Sequence, residues 1–542
     1  MRRLLLCFFI VCLLSPLSAQ QSSSRKLMVG IVVDQMRAEY LNRFYAQFGE
    51  GGFKRLLKDG FNCRNTHINY LPTITGPGHA SIYAGASPKY HGIVGNSWYD
   101  RQLKHRVYCV DDTTEKIVGA EGKLTGVSPR NLLPTNISDE IKISTNQHAK
   151  VLALSLKDRA AVLPAGHMAD GAFWFDQKSG NFVTSTFYMN QLPEWVENFN
   201  KQKKAREYSD GTWALLLPED QYPLSIADDN RYEGIFKGKD RPVFPYNLKE
   251  LSAKTSVPYE VLYKSPFGSS LLTDLAIDAL EHAGLGKGNY TDFLAISFSS
   301  PDAVGHMFGP LSKEINDTYL RLDRDLARLF DALDKYVGKG NYTLFLTADH
   351  GVDEVPEYLN DHKTPAGHLN LSQLTKELVL FLNKQLGEGK WIESLENDEF
   401  YLNTALLAEK GIDVVRVQNL LADYLRVKPG IAQVFTANQL NQQEFTLNVA
   451  ARIQNGFYYK RCGDIKLVLE PGWTEDMYST STHGTGFTYD THIPLIWYGV
   501  GINKGESVIN HSVTDIAATV SMLLRVKFPS ACTGNPIPEL FK

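Results

Sequence analysis

Short, wholly apolar runs recur along the chain, separated by segments whose apolar residues return every three or four positions. Residues 27–33 form the first such run, and 151–156, 293–298, 342–346 and 493–498 repeat its character. Runs this short, apolar on both sides, read as strands buried on both faces, the kind found in parallel sheets. Between them, residues 36–48 and 52–57 carry helical spacing. Ile315, Tyr319, Leu322, Leu326, Leu329, Leu333 and Tyr336 form one apolar stripe with charges opposite, the mark of a helix packed on a core. The alternation predicts an α/β fold, a mostly parallel central sheet with helices on both faces.

Two stretches break the alternation. Residues 165–262 are rich in Trp, Tyr, Asn and Pro; residues 356–475 contain helices of their own near 374–386 and 414–424, and strands near 445–453 and 465–469. Both read as insertions covering the mouth of the sheet, inside one catalytic domain spanning 26–540. The chain shows no internal repeat.

Composition changes this picture little. Of 542 residues, 43% are hydrophobic and 21% charged, and 27 Phe with 26 Tyr can fill a large core. The formal net charge of -4 gives no global basic field for nucleic acid or anionic lipid, so an anion must be held by local chemistry. The N-terminus reads as an export signal over residues 1–19: Arg2 and Arg3, an apolar run at 4–14, Pro16, and small residues ending at Ala19. That run is too short to span a bilayer, and Val11 before Cys12 argues against a lipoprotein anchor. The expected location is periplasmic or secreted. Export favours disulfides among Cys63, Cys109, Cys462 and Cys532, and proximity in sequence suggests Cys63 with Cys109 and Cys462 with Cys532.

The chemistry lies just beyond the strands. Val33 runs into Asp34, Leu156 into Lys157, Phe298 through Pro301 into Asp302, and Leu346 through Ala348 into Asp349 and His350. In open α/β sheets ligands bind outside the carboxyl ends of the strands, so these residues can meet in one crevice. An Asp in such a place also commonly caps a helix. Asp302 and His306, four apart, would share one face of a helical turn. Asp349 and His350 are adjacent, and Gly351 eases the sharp turn they need to converge. His483 and His492 compete as a further imidazole. Mixed oxygen and nitrogen donors suit zinc better than magnesium or calcium, and two such ions clamp the oxygens of an in-line displacement. Thr75 is the candidate nucleophile. The stretch from Pro72 to Tyr83 reads as a loop entering a helix, with Pro77 in its first turn. Thr75 then sits where helix N–H groups favour an anion; the plainer role is an N-cap. His79, one turn later, reads as a packed or hydrogen-bonded histidine.

These residues, in this order, resemble the alkaline phosphatase superfamily, and most closely the phosphate-irrepressible alkaline phosphatases of bacteria. The resemblance rests on Val33-Asp34-Gln35-Met36-Arg37, the Thr75 loop, His91-Gly92-Ile93 with Gly95-Asn96, Ser155 to Ala160, Asp302 to His306, Ala348 to Gly351, Thr482-His483-Gly484 and Asp490 to Leu495. It implies a monomeric, exported enzyme with two zinc ions, hydrolysing small-molecule phosphate monoesters through a phosphothreonine at Thr75 and releasing inorganic phosphate. It implies that Asp302, His306 and His483 hold one zinc, that Asp34, Asp349 and His350 hold the zinc at Thr75, and that Asn96, Lys157 and Arg159 contact the phosphoryl oxygens. His492 becomes a supporting histidine. Neither a nucleic acid partner nor a membrane span is implied.

The nearest alternative is a nucleotide pyrophosphatase/phosphodiesterase of the same superfamily, against which Lys157 and Arg159 argue. A sulfatase would need a Cys or Ser nucleophile where Thr75 stands. From another class, a non-catalytic zinc-dependent phosphate-binding protein would have no use for Thr75.

Overall fold

The structure, a computed structural model, describes residues 25–120, 125–475 and 480–541. At its centre is an eleven-stranded mixed sheet. Six strands set the frame: β1 (Leu27–Val33), β2 (Val151–Ser155), β3 (Gly171–Asp176), β4 (Asp292–Phe298), β5 (Tyr342–Thr347) and β6 (Leu495–Gly499), in the spatial order β6-β5-β1-β4-β2-β3. β1 runs parallel to β4 and β5, and β2 parallel to β4 and β3. Every residue of β1, β2, β4 and β5 is buried. Both faces of the sheet centre are therefore covered, which is why these strands appear as unbroken apolar runs. The α/β architecture is the one expected. β6 departs from the parallel pattern and lies antiparallel to β5; its apolarity reports burial and carries no information on direction.

Register brings the strand ends to one level. Val33 is aligned with Phe298, Val32 with Thr347, and Ser297 with Ser155. The chain leaves these four neighbouring strands at their carboxyl ends and enters Asp34, Asp302, Asp349 and Lys157, so the shared crevice follows from pairing alone.

Several local expectations are corrected. Residues 36–48 form one helical turn (Tyr40–Arg43) and a 3₁₀ turn (Tyr45–Gln47) in place of a continuous helix. Their four-residue spacing instead stacks Tyr40 on Phe44 at 5.3 Å between centroids and sets Tyr40 on Tyr319 at 4.8 Å. Residues 171–185, expected within the first insertion, add β3 and Asn181–Ser185 to the main sheet. Residues 445–453 are not a strand: Asn448–Gly456 is a helix, and Leu447 before it is 72% exposed. The four cysteines are free thiols, not two disulfides. Cys109 lies against Gly76 and Cys532 against Gly85, while Cys462 accepts from Tyr458 N, so neighbours in sequence are not neighbours in space.

The second insertion has a core of its own. Ile392–Glu396, Glu399–Leu402, Ile465–Leu469 and Ile431–Thr436 form a four-stranded sheet in that order. With the helices Leu371–Leu386 and Val414–Leu425 it encloses a separate apolar cluster that includes Leu378, Trp391, Leu421 and Ile465. Its hairpin turn, Asn397 and Asp398 with φ of 52° and 58°, reaches the main domain, where Asn397 Nδ2 donates to Ser97 O at 2.8 Å. The export signal expected at residues 1–19 lies outside the described residues, among which no helix is long and apolar enough to cross a membrane.

Candidate active site

Thr75 opens the helix α1 (Thr75–Ala84), and Ile74 rather than Thr75 occupies the N-cap position, without a side-chain cap. The hydroxyl is thus free of capping duty. It is nearly sealed from solvent, the residue being 1% exposed, with Lys157 Nζ at 3.3 Å and Arg159 Nη2 at 3.5 Å. His79 fixes this helix start: Nδ1 lies 2.9 Å from Thr75 O and Nε2 2.8 Å from Ser297 Oγ. Gly78 lets the helix approach β5, since a Cβ there would lie 2.7 Å from Asp349 O.

Two groups of oxygen and nitrogen donors flank this point. Asp302 and His306, one turn apart on the helix α2 (Ser300–Phe308), join His483; Asp34 joins Asp349 and His350. In each group the potential ligand atoms lie within 4.8 Å of one another. The structure therefore places His483 with the first group. His492 sits apart, stacked on His67 at 4.8 Å with Nε2 2.9 Å from Arg64 O. The imidazoles of His350 and His483, one from each group, stack at 3.6 Å, which makes the groups neighbours.

The donor chemistry fits a cation in each group. His306 Nδ1 faces Ser481 O at 2.9 Å, His350 Nδ1 faces Gly351 O at 2.9 Å, and His483 Nδ1 faces Thr73 O at 2.8 Å. A carbonyl only accepts, so Nδ1 carries the proton and Nε2 presents a lone pair inward. His306 Nε2 and His483 Nε2 are 3.1 Å apart, each within 3.4 Å of Asp302 Oδ1. Asp34 Oδ1, Asp349 Oδ2 and His350 Nε2 are buried without hydrogen-bond partners. Two facing lone pairs in one group, and in the other His350 Nε2 at 3.3 Å from Asp34 Oδ1 and Asp349 Oδ2 at 3.3 Å from His79 Nδ1 without a formed hydrogen bond, are costly to bury unless a positive charge meets them. Protein charges alone leave the balance uneven. Burial and the nearby Asp349 raise Asp34, and burial with His350 holds His483 down to about 3. Burial would lower His350, but Asp349 and Asp34 push it up to about 9.

Lys157 joins the groups. Its Nζ donates to Asp34 Oδ2 at 2.6 Å and Asp302 Oδ2 at 2.7 Å, one carboxylate from each; burial opposes its charge, yet Asp302 and Asp34 hold the ammonium well above its ordinary range. Asn96 Oδ1 accepts from Gly76 N at 2.8 Å, which leaves its amide N–H groups as what Asn96 can offer an anion. All the expected site residues thus meet around Thr75.

Other participants were not visible in sequence. Gln35, at φ 66° just past β1, donates through Nε2 to Asp302 Oδ1 at 2.8 Å and through its backbone to Asp349 Oδ1 at 3.3 Å, touching both groups. Asp490 Oδ2 accepts from Gly484 N, Thr485 N and Thr485 Oγ1 at 2.7–3.0 Å and shapes the loop that carries His483. Gly351 serves differently from expectation: it does not adopt a left-handed φ, but a Cβ there would lie 2.1 Å from Tyr489 O.

Residues 28–492 match the family described as type I phosphodiesterase / nucleotide pyrophosphatase. The chain is 42% identical over 520 residues to alkaline phosphatase PafA of Elizabethkingia meningoseptica, covering 95% of this chain and 94% of that protein. It is 42% identical over 521 residues to alkaline phosphatase PhoV of Synechococcus elongatus, covering 95% and 93%. The crystal structure of wild-type PafA superposes with a TM-score of 0.92 at 41% identity, covering 96% of this chain and 99% of the other.

Proposed function

The chain belongs to the type I phosphodiesterase / nucleotide pyrophosphatase family, within the alkaline phosphatase superfamily, and on that footing we propose how it works as a phosphoric monoester hydrolase. The phosphoryl group of a phosphate monoester passes to Thr75 Oγ1 and then to water, at a site holding two zinc ions. One observation carries the reading: two mixed carboxylate and imidazole groups flank a buried hydroxyl that no capping bond occupies. Asp302, His306 and His483 would hold one ion, and Asp34, Asp349 and His350 the other. When bound, such ions supply Lewis-acid charge for the attacking and leaving oxygens.

The chain's own groups do the rest. The Oγ1–P bond forms as Oγ1 gives up its proton and the bond from phosphorus to the ester oxygen breaks, and the ester oxygen takes up a proton and leaves as the alcohol. Water then bonds to phosphorus as the Oγ1–P bond breaks, the hydroxyl of Thr75 regains a proton, and inorganic phosphate departs. Lys157 and Arg159, both within 3.5 Å of Oγ1, bring fixed positive charge to the transferred group, with the Asn96 amide beside them at Gly76. Preorganised charge of this kind is the main contribution a protein makes to phosphoryl transfer. Two cations beside the nucleophile favour a dianionic monoester over a singly charged diester, which weighs against the diesterase reading that the family's description suggests. The reading includes the exported, monomeric enzyme that the resemblance implies.

The test combines metal analysis with acid quenching. Active protein should contain about two zinc ions per chain, in line with the two donor groups, and quenching during turnover should trap phosphate on Thr75. Full activity after chelation and magnesium addition, or an active enzyme with no phosphothreonine, would refute the proposal.

A further inference from the structure

Arg159 differs from the other cation of the site in what holds it. Lys157 is locked between two carboxylates, whereas among the described residues no carboxylate forms an ion pair with Arg159. Its Nη1 instead donates to Tyr108 Oη at 3.1 Å. That phenol donates its own proton to Asp158 Oδ1 at 2.5 Å, and the same oxygen accepts from Arg159 N at 2.6 Å. The ring of contacts fixes every role: with the phenol proton committed to Asp158, only an oxygen lone pair remains to face the guanidinium. Burial pushes the Tyr108 phenol well above its ordinary range, so the proton stays in place under alkaline conditions.

We propose that Tyr108 is a positioning residue for Arg159, aiming the guanidinium at the phosphoryl site through a neutral acceptor so that no carboxylate occupies the N–H groups that face the substrate. An acidic partner would hold Arg159 as firmly but would neutralise it, and an incoming phosphate would have to compete for the same N–H groups. A phenol gives direction without that competition. The placement is built into one hairpin. Tyr108 ends the strand His105–Tyr108 and is paired in register with Ser97, while Cys109 N donates to Asn96 O at 2.8 Å. Asn96 and the guide for Arg159 therefore occupy neighbouring rungs, so one element sets two donors for the same anion. A supporting shell of this kind is what keeps a binding group within a fraction of an ångström of its productive geometry.

The inference rests on the reading that Arg159 contacts the transferred phosphoryl group, and a double-mutant cycle separates the two. Tyr108→Phe keeps the ring and removes only the acceptor. It should lower kcat/KM for an aryl phosphate monoester by about threefold to thirtyfold, raise the inhibition constant of inorganic phosphate, and change diester hydrolysis by less than about threefold. In an Arg159→Ala background the same substitution should change monoester kcat/KM by less than about twofold, because the group it positions is gone. Equal losses in both backgrounds, or no loss in the wild-type background, would overturn the role of Tyr108. If Arg159→Ala alone leaves monoester hydrolysis intact, the phosphoryl contact itself is wrong and the inference falls with it. Melting temperatures of all variants identify a loss caused by unfolding.

Discussion

Replacing Lys157 by methionine keeps the reach of the side chain and removes its charge. Nζ lies 2.6 Å from Asp34 Oδ2, 2.7 Å from Asp302 Oδ2 and 3.3 Å from Thr75 Oγ1, in a place buried from water, so solvent does not screen what is lost. Removing one preorganised donor from a dry site of this kind costs about 2.7–4 kcal/mol of transition-state stabilisation. At about 1.4 kcal/mol per factor of ten, monoester kcat/KM should fall about a hundredfold to a thousandfold. A diester carries half the charge of a monoester dianion, so roughly half the energy is at stake and the loss should be about tenfold to thirtyfold. Selectivity for monoesters should therefore drop by about tenfold to thirtyfold. Initial rates with an aryl phosphate and the matching diaryl phosphate, each referenced to the zinc content of the same sample, measure both numbers. Parallel losses on the two substrates with zinc retained, or a monoester loss below about threefold, would refute the assignment of Lys157 to the phosphoryl group.

Other outcomes follow from the same geometry. His483→Ala should remove a ligand from one donor group only, so metal analysis should fall from about two ions per chain toward one; retention of both would place His483 outside the metal shell. Gly78→Ala forces a Cβ to within 2.7 Å of Asp349 O and should destabilise the fold by about 1–3 kcal/mol, read as a lower melting temperature with lower activity; an unchanged melting temperature would show that α1 can move away freely. The described cysteines are unpaired, so reductant should leave the melting temperature unchanged, and a marked drop would reveal a disulfide.

The sheet was legible where burial is two-sided, because β1, β4 and β5 have no solvent face to admit polar residues. Edge elements were not. Asp111–Val118 pairs at the sheet margin with a largely polar sequence, and no periodicity separates it from a loop. The ligand types could be read from strand ends, since carboxylates and imidazoles there have few structural reasons to exist together. The choice between His483 and His492 could not, because both are imidazoles in the same polar stretch and only folding carries one of them to Asp302. Gln35 and Tyr108 were invisible for a related reason: an amide or a phenol acquires its role from a neighbour hundreds or tens of positions away.

The separate apolar cluster of the second insertion gives the enzyme two places to fail. A segment with a core of its own can open as a cooperative unit while the rest of the chain keeps its structure. What that opening loosens is the surroundings of Asn96, through contacts such as Asn397 Nδ2 to Ser97 O, whereas the candidate donors Asp34, Asp302, His306, Asp349 and His350 lie at the ends of the main strands and on α2. Warming would then loosen the support of Asn96 before the main sheet yields, so turnover would fall while the main-sheet donors still held their places, and the insertion would act as the thermal fuse of an otherwise sturdier catalyst.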